Sequence, residues 1–150
     1  MLFVTNLFKY NQLYVLMMVK IMAKQYVNGY VLVVPKKNLK VYQKMAAEAG
    51  KVWIKQGALQ YVECVGEDLN VAKKFGCLPF PKMTKAKSSE MVLFSFIAYK
   101  SRAHRDKVNA KVMKEMEKHS EKYKEKCKNV FNMKRMAVGG FETIVNLGGR

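Results

Sequence analysis

EMVLFSFIAYKSRAHRDKVNAKVM, residues Glu90 to Met113, is the stretch whose reading decides the fold. Met91 to Tyr99 has strand length, with Ser95 as its one polar interruption. That is the pattern of a strand buried on both faces in the middle of a sheet. At Ser101 the period changes. Ser101 stands where a helix N-cap belongs, and His104, Val108, Val112 and Met116 then recur every fourth residue. A central strand therefore runs directly into an amphipathic helix, and Tyr99, Arg102, His104, Arg105 and Asp106 are bunched at the junction.

Working outward from that junction, YVNGYVLVV (Tyr26 to Val34) reads as a first strand ended by Pro35. Alternation puts Val27, Val31 and Val33 on one face and Tyr26, Asn28, Tyr30 and Leu32 on the other. Asn38 is placed to cap a helix whose stripe is Leu39, Tyr42, Met45, Ala46, Ala49, Val52 and Trp53. Gly50 inside that helix costs about 1 kcal/mol relative to alanine, which implies close packing against the sheet. Ala58 to Val65 has the mixed polarity of an edge strand. Gly66 to Ser89 is a connection long enough to suggest a lid or a dimer arm. Arg135 to Val145 is the last strand, where Gly139-Gly140 marks a bulge or a close backbone approach.

The order is β-α-β-β-α-β. Right-handed crossovers then place the first and third strands in the middle of an antiparallel sheet, with both helices on one face. The expected fold is α+β, a ferredoxin-like subunit. Residues 22–147 form one domain, 1–21 an optional extension and 148–150 a tail. The apolar run Leu13 to Val19 in the extension is far short of the ~20 residues of a membrane span, and no membrane partner is expected. Beyond Met116, EKHSEKYKEKCKN reads as a solvated helical extension. The helix-free sheet face is expected to expose Tyr30, Leu32 and Tyr61, and an apolar face of that size calls for a second subunit.

Composition narrows the class. Half of the 150 residues are hydrophobic, so disorder is not the default. Lysine and arginine number 28 against 11 acids, a net charge of +17. Such a balance suits an anionic partner or a surface of dispersed lysines. Cys64, Cys77 and Cys127 are widely spaced with no C-x-x-C pair, which fits free thiols in a reducing cytoplasm.

Two groups of residues carry candidate chemistry. SRAHRD sets Arg102 and Arg105 beside a helix N-terminus, where backbone N–H groups already favour carboxylate or phosphate, and His104 adds an acid–base candidate. The structural alternative is an Arg102–Asp106 pair with His104 as an ordinary hydrogen-bonded helix residue. Glu63, on the same strand face as Tyr61, is the second catalytic candidate, as a desolvated base. Tyr30, Tyr61 and Tyr99 complete the candidate ligand contacts. Histidine and carboxylate spacings match no metal site, and no Gly-rich phosphate loop follows a strand, so neither metal nor cofactor is expected. The order β-α-β-β-α-β is shared with RNA-recognition motifs. Phe94 to Tyr99 resembles the end of their third-strand signature, and Leu2 to Leu7 their first-strand hexamer. Yet Val92-Leu93 replace the basic-glycine start, and an extra strand and helix separate the two strings, so nucleic acid ranks below a small ligand.

PKKNLKVYQKMAAEAGKVWIKQGALQYVECVGEDL, FPKMTKAKSSEMVLFSFIAYKSRAHRDKVNAKVM and MKRMAVGGF closely resemble a family of short bacterial proteins, domain of unknown function 1428, and its YbaA-like group. The resemblance spans Lys24 to about Leu147. It implies a dimeric α+β barrel and no established activity. The chain departs from the family pattern at Val138, where a tyrosine often precedes the Gly-Gly pair. It departs again after Met113, where a short acidic, proline-bearing stretch is replaced by a lysine-rich one. The resulting expectation is a cytoplasmic homodimer binding a small anionic or aromatic ligand in or beside the barrel. A nucleic-acid-binding protein and a structural or stress-related dimer without catalysis are the rival classes.

Overall fold

The computed structural model describes residues 25–70, 74–118 and 129–146. The optional extension, most of the lysine-rich segment and the extreme C-terminus lie outside them. Among the described residues, four strands and two long helices alternate in the expected order: β1 (Tyr26–Pro35), α1 (Leu39–Lys55), β2 (Gln60–Val65), a one-turn helix α2 (Phe80–Met83), β3 (Glu90–Tyr99), α3 (Arg102–Glu117) and β4 (Ala137–Glu142). The sheet is antiparallel with spatial order β2-β3-β1-β4, so β1 and β3 are central and the mixed-polarity β2 is an edge. This is the ferredoxin-like α+β subunit that the pattern predicts.

Local chemistry explains most boundaries. The Ser101 hydroxyl accepts the His104 N–H at 3.1 Å, closing the first turn of α3 as an N-cap should. Asn38 behaves differently from its expected role. Its side chain makes no cap bond, and its Nδ2 instead donates to the carbonyls of Asn129 and Val130, each at 2.9 Å, fastening a segment 91 residues away. A 3-10 turn over Lys36–Asn38 leads into α1 in place of the cap. β4 is shorter than the Arg135 to Val145 read from sequence, because a second 3-10 turn occupies Met133–Arg135. Arg135 serves as a fastener there. Its guanidinium meets Glu90 at 2.6 Å and donates to the carbonyls of Thr84 and Lys85. That hydrogen bond, and then the Lys87 backbone N–H, hold the Glu90 carboxyl below the usual carboxylate range.

Both glycine signals resolve into close approaches. A Cβ on Gly50 would come within 2.7 Å of the Tyr61 ring, so α1 can lie against β2 only with glycine there. β4 pairs with β1 residue for residue through Gly139 and Gly140, without a bulge. A Cβ on Gly140 would instead collide with the Tyr26 hydroxyl.

The core has two parts on the helix-covered side of the sheet. One joins Leu32, Val34 and Leu93 to Tyr42 and Ala46 of α1 and to Val130. The other joins Ile97 and Tyr99 to Val108 and Val112 of α3 and to Ala58. Tyr30 and Tyr61 pack against the second cluster. One expectation is therefore reversed: Tyr30, Leu32 and Tyr61 lie under the helices. The face without helices carries Val27, Val31, Val62, Phe94, Phe96 and Phe141, as the strand register requires. Alternation separates two faces but does not say which one is covered. In β1 both are apolar, so the pattern was symmetric on that point.

Candidate functional site

A cavity of about 350 Å³ lies between α1 and the sheet, in the gap between the two core clusters. Its sheet side is built on one transverse row. Glu63 of β2 faces Ser95 of β3, and Ser95 faces Tyr30 of β1. Tyr30 in turn faces Val138 of β4. Tyr42, Met45, Ala46, Ala49 and Trp53 of α1 roof the space, and Tyr61, Met116 and Phe131 close its sides.

Glu63 is the polar centre. Its Oε2 accepts hydrogen bonds from Tyr42 at 2.9 Å and Ser95 at 2.7 Å, and its Oε1 accepts from Tyr61 at 2.7 Å. Ser95 is 4 % exposed and Tyr42 6 %, so each of these hydroxyls needs a protein partner. Burial, and secondarily the neighbouring Glu63 charge, pushes the Tyr42 and Tyr61 phenols well above the ordinary tyrosine range. Tyr30 is raised by burial as well, against an opposing hydrogen bond with Asn28. The phenols thus act as proton donors to a carboxylate that the fold holds in place. Chemically, this arrangement offers a fixed proton acceptor in an apolar, ring-lined space.

A pH consequence follows from the raised phenols. Tyr30, Tyr42, Tyr61 and Tyr99 hold their protons in the folded state above the ordinary value of 10.0. Their contribution to stability is complete below pH 10. It falls as rising pH ionises the unfolded chain first. The tyrosinate absorbance of these four should therefore rise cooperatively with unfolding above pH 10, rather than as independent titrations at 10. Independent titration of all eight tyrosines with retained far-UV dichroism would contradict this.

The sequence-derived candidates divide between places. Glu63, Tyr61 and Tyr30 come together in the cavity. Tyr99 is 0 % exposed and belongs to the core. Its hydroxyl donates to Asn109 and accepts from Asn28, and its ring meets Trp53 and His104 edge-on. His104 is a helix-start residue, with Nδ1 accepting the Lys100 N–H at 3.1 Å. Arg105 lies over the Tyr26 ring at 5.0 Å and donates to the Tyr26 hydroxyl at 3.3 Å. Its Nε stands 3.1 Å from Asp106, an ion contact angled too poorly to count as a hydrogen bond, so that buried N–H has no acceptor. The expected Arg102–Asp106 pair is thus replaced by Arg105–Asp106, and Arg102 is exposed at the start of α3. Neither arginine lines the cavity. Tyr42, Ser95 and Trp53 were missed as site residues. Ser95 carried a usable signal as the one polar residue in an otherwise apolar central strand. Among the described residues, no cluster of histidine, cysteine or carboxylate is placed to hold a metal. Among them too, no helix is long and apolar enough to cross a membrane.

These features define a class: an α+β subunit with a ferredoxin-like sheet and a ring-lined cavity between that sheet and its first helix. Residues 25–132 match the protein family of unknown function DUF1428, and the chain belongs to it. The uncharacterized protein YbaA of Escherichia coli K12 is 36 % identical over 124 residues, covering 81 % of this chain and 98 % of that one. YbaA of Shigella flexneri matches to the same extent. Among solved structures, a point mutant of SnoaB, a cofactor-independent oxygenase from Streptomyces nogalater, superposes with a TM-score of 0.50 over 83 % of this chain and 98 % of that one. At 10 % identity that likeness speaks for the fold alone.

Proposed function

We propose that this protein is a homodimeric small-molecule-binding protein that takes a compact aromatic ligand into the cavity between α1 and the sheet. The observation that carries this reading is the convergence of Glu63, Tyr30, Tyr42, Tyr61 and Trp53 on one apolar space. Few, fixed polar groups in an otherwise apolar concavity are the usual composition of a ligand pocket, and ~350 Å³ falls at the small end of the usual range. Of the two ligand types expected from sequence, the aromatic one is favoured over the anionic one, because no cation among the described residues lines the cavity. Cys64 and Cys77 are free and exposed, in keeping with residence in a reducing cytoplasm.

Dimerisation is supported by the helix-free face. Phe94 and Phe141 there are 46 % and 60 % exposed, and Phe96 lies 6.2 Å from Phe94, ring centre to ring centre. A second copy packed on this face would bury an interface above roughly 2,000 Å², the size of obligate dimers. The same exposed rings on a strongly basic protein favour a second reading, the stacking of single-stranded RNA bases on the open sheet.

Trp53 is the single tryptophan and lines the cavity, so its fluorescence reports occupancy directly. Titration with a panel of one- and two-ring aromatic compounds should change Trp53 emission saturably, and Ala49→Phe, which fills the roof, should abolish the change. A flat response across the panel would sink the binding reading.

A further inference from the structure

We infer that the cavity selects an organic cation, a protonated amine carried on a small aromatic or branched apolar body, with Glu63 as its counter-charge. This rests on the cavity being a ligand site, and it names the chemical class of ligand.

The first ground is the state of the Glu63 hydrogen-bond sphere. A carboxylate offers about four acceptor positions. Three are filled, two on Oε2 by Tyr42 and Ser95 and one on Oε1 by Tyr61, which leaves Oε1 able to accept one more donor. The second ground is charge. All three donors are neutral hydroxyls, and no lysine, arginine or histidine among the described residues lines the cavity. The guanidinium expected to meet a ligand, Arg105, is engaged with Tyr26 and Asp106. Glu63 is therefore hydrogen-bonded but not neutralised, in a setting where an anionic ligand meets repulsion and a cationic one meets its complement.

The third ground is the wall. Tyr30, Tyr42, Trp53, Tyr61 and Phe131 present ring systems to the space, and ring faces attract cations through their quadrupoles, most strongly when water is excluded. Met45, Met116, Met133 and Met136 supply polarizable, adaptable surface around a ligand's apolar body. Rings alone would accept any aromatic compound. Rings together with an unneutralised carboxylate distinguish an amine from its neutral and anionic counterparts. The net charge of +17 does not reverse this preference. Exposed charges are screened beyond about 8 Å at physiological salt, whereas Glu63 acts at contact distance.

Three probes built on one phenyl group separate the possibilities at pH 7: phenethylamine as the cation, 2-phenylethanol as the neutral counterpart and 3-phenylpropanoate as the anion, each followed by Trp53 fluorescence. The expected order in the wild-type protein is amine, then alcohol, then carboxylate, with the amine at least tenfold tighter than the alcohol, about 1.4 kcal/mol. Glu63→Gln should weaken the amine and bring amine and alcohol to within threefold of each other. If the alcohol binds and the amine binds no tighter, cation selection is wrong and the cavity reading stands. If none of the three binds up to millimolar concentration, both fall. The wild-type comparison decides between these outcomes even where Glu63→Gln impairs folding.

Discussion

In the proposed dimer, Phe94→Asp is expected to leave a folded monomer of 17.3 kDa by light scattering. Phe94 sits on a central strand, points away from both helices and is 46 % exposed within the subunit. If a second sheet covers it, aspartate there leaves an unpaired charge in a desolvated interface, and such a charge costs about 3–5 kcal/mol. On that scale the dimer's Kd rises roughly 100- to 5,000-fold. The subunit core should be untouched, because Phe94 belongs to neither core cluster, and far-UV dichroism and melting cooperativity should persist. The same substitution separates the two readings of this face. A wild-type protein that is already monomeric, and whose single-stranded RNA binding at physiological salt disappears with Phe94→Asp, would replace the dimer by a stacking surface. RNA binding that is weak and steeply salt-dependent, and that is unaltered by the substitution, would trace to dispersed lysines instead.

Glu63→Ala carries the second large effect, and this one falls on stability. Removing the carboxylate orphans three hydroxyls, of which Tyr42 and Ser95 are buried. An unsatisfied buried polar group costs about 1–3 kcal/mol, so a loss of roughly 2–4 kcal/mol is expected once water reaches Tyr61. For a chain of this size that corresponds to a fall in Tm of about 5–15 °C. Glu63→Gln, which retains an acceptor oxygen, should lose less than half as much. An unchanged Tm for Glu63→Ala would mean that solvent already reaches the three hydroxyls and that the site is far wetter than its lining indicates.

The fold was legible because its signals are local. Ser101 with its four-residue repeat, the stripe from Leu39 to Trp53, and the contrast between apolar β3 and mixed β2 each depend on neighbours a few residues apart. The site was legible only in part because its bonds are not local. Glu63 meets Tyr42 across 21 positions and Ser95 across 32, and no spacing rule connects them. Burial of the lone polar residue in β3 demands a partner, but which partner depends on the register of β2 against β3. The arginines misled for the opposite reason. A helix start rich in guanidinium groups is a real local pattern, yet Arg105 lies over Tyr26, which follows from how α3 lies on β1.

Asn38 gives the molecule a form of evolutionary slack. By holding the carbonyls of Asn129 and Val130 to the beginning of α1, it indexes Phe131, a wall of the cavity, to the first helix rather than to the end of the third. What separates α3 from that anchor can then change in length and composition while the wall keeps its place. Most of the lysine-rich run from Glu115 to Asn129 falls in this interval. The interval is accordingly where a tag or a foreign segment should be tolerated without loss of the cavity.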